Sequence, residues 1–299
     1  MKYAYYPGCS LESTAWEYDR STRAVCDALG VELEEIPGWA CCGSTPAHCT
    51  NRSLAVALPV LSLSQAQPLR APVMTACASC YSRLRTANHA VREDSEERER
   101  VQRITGRSYD GSVDVQHVLD ALVNHVGVER IRSAVKQPLH GLRVACYYGC
   151  LLSRPPEIVA FDDPDHPTCM ERIVEAIGAE PVDWPYRTEC CGAGLSLTHT
   201  DVVCRLGHRL LSMAQRAGAH CVAVACPMCQ TNLDLRQAEA IEAHGQLHET
   251  PVPYLTQLLG LALGLSAEEL GLDALFTAPR LLLSNVPGLP AKEECHGIE

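Results

Sequence analysis

Two short apolar runs, Pro72–Ala76 and Cys221–Ala225, each ended by a Cys-x-x-Cys, read as buried strands. Ahead of the second run, Val202, Val203, Leu206, Leu210 and Met213 recur at helical spacing on one broad face. That pattern predicts a helix capped by Asp201 and ended at Gly218. Thr168-Cys-Met-Glu171 has the spacing of a capping box and predicts a helix that stops at Gly178. Nearer the N-terminus a helix over about Thr14–Leu29 stops at Gly30. Each of these two helices leads into a short strand, VELEEIP or AEPVDWP, and the charged stretch Arg92–Arg103 predicts a solvated helix. Strands alternating with helices of this length predict an α/β fold with parallel sheets. In such sheets ligands collect beyond the carboxyl ends of the strands.

The cysteines repeat with these elements. Cys9, the pair Cys41–Cys42 and Cys77-Ala-Ser-Cys80 are answered by Cys150, the pair Cys190–Cys191 and Cys226-Pro-Met-Cys229. The pairs and the CxxC motifs are offset by 149 residues, and Gly8–Cys9 from Gly149–Cys150 by 141. Surroundings repeat as well, WACCGS against TECCGA and MTACASC against AVACPMC. The second copy therefore holds eight more residues between its first cysteine and its pair, placed in SRPPEIVAFDDPDHP (Ser153–Pro167). Duplication of a five-cysteine unit predicts two pseudo-symmetric halves, each a small parallel sheet flanked by helices. Residues 1–138 form the first, 139–275 the second, and 276–299 a C-terminal tail; the boundary lies near Lys136–His140, before LRVACYYG.

Composition narrows the chemistry. The 299 residues carry a net charge of -11, which argues against nucleic acid or an anionic membrane as the main partner. Seventeen cysteines are too many for an ordinary fold, yet the chain is long for a disulfide scaffold and opens without an apolar leader segment. A cytoplasmic protein that uses thiolates as ligands or redox groups is the expectation. No apolar run approaches a membrane span; LGLALGL (Leu259–Leu265) is far too short.

Three chemistries can use clustered thiolates. A structural zinc takes four ligands, so five leave one over, and adjacent cysteines direct their side chains apart. A bond between adjacent cysteines is strained. A thioredoxin-like reading explains the CxxC and leaves three cysteines idle. Iron–sulfur ligation accounts for all five, since a CxxC at a helix start supplies two ligands and an adjacent pair can serve two irons.

The pattern Cys, Cys-Cys-Gly, Cys-x-x-Cys, present twice, resembles the CCG motif of the HdrB component of heterodisulfide reductase. The likeness extends through YYPGCSLESTAWEYDRSTRAVCDALG, ACCGSTPAH, ACYYGCLLSRP, ECCGAGLSLT, CPMCQTNLDLRQ and PYLTQLLGLALGL, over roughly residues 1–275. The resemblance implies two noncubane [4Fe–4S] clusters near the interface of the halves. One would be held by Cys9, Cys41, Cys42, Cys77 and Cys80, the other by Cys150, Cys190, Cys191, Cys226 and Cys229. It implies an oxidoreductase acting on sulfur groups, like CoB–CoM heterodisulfide reductase, with a disulfide reduced between the two clusters. It also implies partners, the ferredoxin-like HdrC and the flavin-bearing HdrA of such a complex, since the chain has neither a ferredoxin-type CxxCxxCxxxCP run nor a GxGxxG motif. A bacterial sulfur-oxidising complex acting on protein-bound sulfur, and a non-catalytic electron relay, are the alternatives.

Other candidates are single residues. His48, six after the first pair, could give substrate a proton, and Arg154, four after Cys150, could bind a substrate anion. His199, Arg83 and Arg85 are weaker candidates of the same kind. Cys26, Cys49, Cys146, Cys169, Cys204 and Cys221 read as thiols outside the sets, and Cys295 as a tail thiol.

Overall fold

A computed structural model describes residues 1–44, 46–159, 161–245, 247–277 and 282, without the side chains of Pro46 and His48. Its two sheets are small, parallel and flanked by helices. The first takes β1 (Lys2–Tyr5), β2 (Glu32–Glu35), β3 (Val73–Thr75) and β4 (Val115–His117), in the order β2-β1-β3-β4. The second takes β5 (Arg143–Tyr147), β6 (Glu180–Pro181) and β7 (Cys221–Val224), in the order β6-β5-β7. A parallel bridge from Val224 to Tyr254 stands where β4 stands in the first half. The central strands are buried on both faces, which is why they read as unbroken apolar runs rather than alternating ones.

Helices fall close to the places the sequence predicts. Trp16–Ala28 precedes Gly30, and Cys169–Ala176 precedes Gly178. Three local expectations are corrected. The Thr168–Glu171 capping box does not form: Asp162 accepts from the Thr168 and Cys169 amides at 2.9 and 2.8 Å, while Glu171 is drawn to the Tyr148 hydroxyl and to Arg187. Asp201 is not the cap of Thr200–Arg216; it lies in the first turn, where its charge faces the positive end of the helix dipole, and His199 occupies the cap position. The charged stretch Arg92–Arg103 is split at Asp94, whose carboxylate caps Ser95–Thr105, and Glu97 within it is buried and paired with Arg100.

The halves are joined by exchange. Helix Leu255–Ala262, which follows the second sheet, packs on Trp16–Ala28 of the first half. Helices Val118–Asp120 and Val128–Ala134, which follow β4, pack on Cys169–Ala176 of the second. Buried apolar residues from both sheets accordingly form one continuous core. The segment that carries the eight extra residues crosses too. Its helix Pro156–Val159 lies on helix Ala78–Glu93, where the Tyr81 hydroxyl donates to the Val159 carbonyl (2.9 Å) and Arg85 Nε to the Ile158 carbonyl (2.7 Å).

Candidate metal centres

The carboxyl ends of β3 and β7 lead directly into the two CxxC motifs. Cys77 and Cys226 are the cap residues of helices Ala78–Glu93 and Pro227–Leu233, so Cys80 and Cys229 sit in the first helical turn. Each vicinal pair divides in the same way: Cys41 and Cys190 are exposed, Cys42 and Cys191 buried. Cys41 Sγ lies 3.7 Å from Cys9, Cys42 Sγ 3.5 Å from Cys80, and Cys191 Sγ 3.7 Å from Cys229. Thiol contacts between Cys77 and Cys80, Cys226 and Cys229, and Cys150 and Cys190 extend both groups. The groups approach one another at Cys77 and Cys226, whose thiols act on each other across the halves. The ten cysteines of the sequence pattern are thus brought together as two buried triplets, each with an outer pair, of which Cys9, Cys41 and Cys190 are exposed and Cys150 half-buried.

Two repeated devices shape each group. Gly8 and Gly149 hold φ of +75° and +65°, and a Cβ there would stand 2.9 Å from Cys80 Sγ and 3.0 Å from Cys229 Sγ. Only a residue without a side chain lets the backbone approach sulfur so closely. Two residues earlier, Tyr6 and Tyr147 are fully buried, and their hydroxyls donate at 2.7 Å to the carbonyls of Ala40 and Glu189, immediately before each pair. Each phenol thereby ties the pair to the strand that carries the first cysteine. Neither tyrosine is among the residues predicted from sequence, although the Tyr-Tyr doublets before Gly8–Cys9 and Gly149–Cys150 are a visible signal.

Thiols packed this closely cannot all ionise. Hydrogen bonds from Cys41 and Cys80, with the Ser44 amide and the Arg83 charge, pull Cys42 down to about 4. Cys150, with the Gly192 and Ala193 amides, lowers Cys190 to about 6. Cys80 and Cys229 are pushed well up by neighbouring cysteines that share the remaining protons, and by burial. Sulfurs in this state need a cationic core to ionise together. An all-sulfur donor set, the helix-start amides of Met228 and Cys229 on Cys226, and a buried Arg83 Nε with no hydrogen-bond partner among the described residues fit an iron–sulfur cluster. Among the described residues no three His, Cys, Asp or Glu are arranged to hold a single metal ion.

The remaining candidates scatter. The His48 side chain and Cys295 lie outside the described residues, as does most of the tail. Arg154 is partly exposed and pairs with Asp165 at 2.5 Å and the Pro164 carbonyl at 3.1 Å. Arg85 belongs to the inter-half contact, His199 to a helix start. Cys26, Cys146, Cys169, Cys204 and Cys221 are buried, and Cys49 is exposed.

A family model for the CCG cysteine-rich domain matches residues 3–85 and again 144–234. The chain is 34% identical over 273 residues to the membrane anchor subunit of 8-methylmenaquinol:fumarate reductase from Wolinella succinogenes, covering 91% of this chain and 95% of that one. It is 29% identical over 278 residues to the HdrB component of the ferredoxin/F420H2-dependent CoB–CoM heterodisulfide reductase of Methanosarcina acetivorans (91% and 92% covered). An HdrB-like heterodisulfide reductase protein of Archaeoglobus profundus is 30% identical over 280 residues (90% and 93%). Among solved structures, that of a hypothetical protein from Helicobacter pylori superposes with a TM-score of 0.72 at 13% identity over 92% of this chain. The chain spans 52% of that protein, and the likeness is one of fold. No helix among the described residues is long and apolar enough to cross a membrane.

Proposed function

Because the chain belongs to the CCG cysteine-rich-domain family and carries that domain twice, we propose that it is the iron–sulfur subunit of a heterodisulfide reductase-like complex, holding two noncubane [4Fe–4S] clusters. The observation that carries this reading is the meeting of two equivalent five-cysteine groups at Cys77 and Cys226. Such clusters supply single electrons and an iron site for substrate sulfur. The chain's own residues supply the rest. Cys42, Cys77 and Cys80, with Cys191, Cys226 and Cys229, keep one side of each site dry, whereas Cys9, Cys41 and Cys190 face solvent and leave the other side open to a disulfide or a carried sulfur. Electrons pass to and from a ferredoxin-like HdrC and a flavin-bearing HdrA in this reading, and the cytoplasm is its compartment. His48 and Arg154 remain proposed substrate contacts, for which Arg154 would first leave Asp165.

A second reading is favoured by the 34% identity to the Wolinella succinogenes protein: the same clusters would relay electrons in a quinol-linked complex without touching sulfur substrates. One anaerobic experiment tests both. Protein loaded with about eight iron and eight acid-labile sulfide per chain is oxidised and titrated with thiols while its EPR spectrum is followed. A spectrum changed by thiol supports the first reading. An unchanged spectrum at full iron favours the relay, and iron-free protein defeats both.

A further inference from the structure

Residues 149 apart stand at equivalent places around the pair and the CxxC of each repeat, so the two groups can be compared side chain by side chain. Three residues beyond the second cysteine of each CxxC, the first repeat has Arg83 and the second Asn232. Both address the buried cysteine of the neighbouring pair. Asn232 Nδ2 donates to the Cys191 carbonyl at 3.0 Å and lies 3.7 Å from its Sγ. The Arg83 charge acts on Cys42, and its buried Nε has no hydrogen-bond partner among the described residues. A second difference stands directly before each pair, Ala40 in the first repeat and the exposed Glu189 in the second, whose charge acts on Cys190.

At these two positions together the first group is more positive by two unit charges. Backbone amides are shared evenly by the pairs, with Gly192 and Ala193 donating to Cys190, Gly43 to Cys41 and Ser44 to Cys42. Those are dipoles, whose effect falls off faster with distance than that of a fixed guanidinium. A cation beside the sulfurs stabilises the reduced state, which gains one negative charge without bond making or breaking.

We propose that Arg83 makes the first group the electron sink of the pair: the cluster at Cys9, Cys41, Cys42, Cys77 and Cys80 is reduced at the higher potential, and the first electron to enter the chain settles there. This rests on the two-cluster reading above. The test is a potentiometric titration of the full, loaded chain with dithionite, followed by EPR, with iron measured on every sample. Two one-electron steps are expected. Arg83→Gln lowers the upper step and leaves the lower in place, and Arg83→Lys restores it. Glu189→Ala, at an exposed position, raises the lower step, and so does Asn232→Arg. If Arg83→Gln fails to load iron, the last two variants carry the test. Full iron with no step moved in any variant, or movement of the wrong step, overturns this inference alone. Wild-type protein without iron overturns it together with the two-cluster reading.

Discussion

At the scale of single residues the sites are set by atoms that are missing as much as by those present. A methyl group at Gly8 or Gly149 would meet Cys80 or Cys229 sulfur and sit on a left-handed backbone. Gly149→Ala is therefore expected to fold and lose the second cluster selectively, with iron falling toward roughly half; an unchanged iron content would show that the sulfur can move aside. His117 illustrates the opposite case, a side chain with no spare capacity. Its Nε2 donates to the Ala76 carbonyl at 2.8 Å and its Nδ1 accepts from the Leu119 amide at 3.3 Å, so the neutral ring is fully used. Burial pushes it down to about 4. The unfolded chain takes up this proton near 6.5, so the stability it contributes is complete above that pH and is lost as pH falls toward 4. Going from pH 7 to pH 5 is expected to cost about 2 kcal/mol through this residue. Thermal midpoints at the two pH values check it: His117→Asn should show the shallower dependence, and equal slopes would dismiss the idea. The cysteines were legible in the sequence because their spacing repeats. His117 was not, because one histidine in a three-residue buried strand carries no pattern.

At the scale of elements, the helices that begin at the CxxC motifs each clasp a foreign segment, with opposite polarity. Tyr81 and Arg85 donate to the carbonyls of Val159 and Ile158. At the equivalent positions, Gln230 donates to Asp234 at 2.8 Å, and Asp234 accepts from the Phe276 and Thr277 amides at 2.8 and 3.0 Å. A cation thus gathers carbonyls in one half, and a carboxylate gathers amides in the other. Arg85→Ala should weaken its clasp by about 1 kcal/mol and speed amide exchange across Pro156–Val159 several-fold. Asp234→Ala leaves two amides and a Thr277 hydroxyl without their acceptor and should cost about 2–3 kcal/mol. Exchange that stays at wild-type rates in Arg85→Ala would mean that the segment is held by Phe161 packing edge-on against Tyr81 instead. The sequence located the extra residues in Ser153–Pro167 but not their destination, since a backbone carbonyl leaves no trace in residue identity. Capping failed for a related reason: Glu171 has the right spacing for a box, and Tyr148 with Arg187 competes for it from elements distant in sequence.

At the scale of the molecule, internal duplication suggests two halves that could fold separately, and the exchanged helices make them interdependent. Every residue of Leu255–Ala262 is buried, so its sequence shows no polar face to say which side meets which partner. That is why the alternation of strands and helices was readable and the exchange was not. The contact is specific nonetheless. Tyr254 stacks on Tyr18 with ring centroids 3.9 Å apart and an interplanar angle of 4°, and Thr256 shares a 2.8 Å hydrogen bond with Ser21. The charges of Cys77 and Cys226 bear on both rings, which places this stack beside the junction of the two cysteine groups. Removing either ring opens a large void in a continuous core, at a cost of about 3–5 kcal/mol. Because the ring belongs to one half and its cavity to the other, Tyr254→Ala should destabilise both sheets together. Hydrogen exchange at β1 and at β5 would then quicken in parallel, and heating should give one transition in wild type and variant alike. Two separate transitions, with β1 protected while β5 is lost, would show that the halves stand independently and that the exchange decorates the fold without binding it.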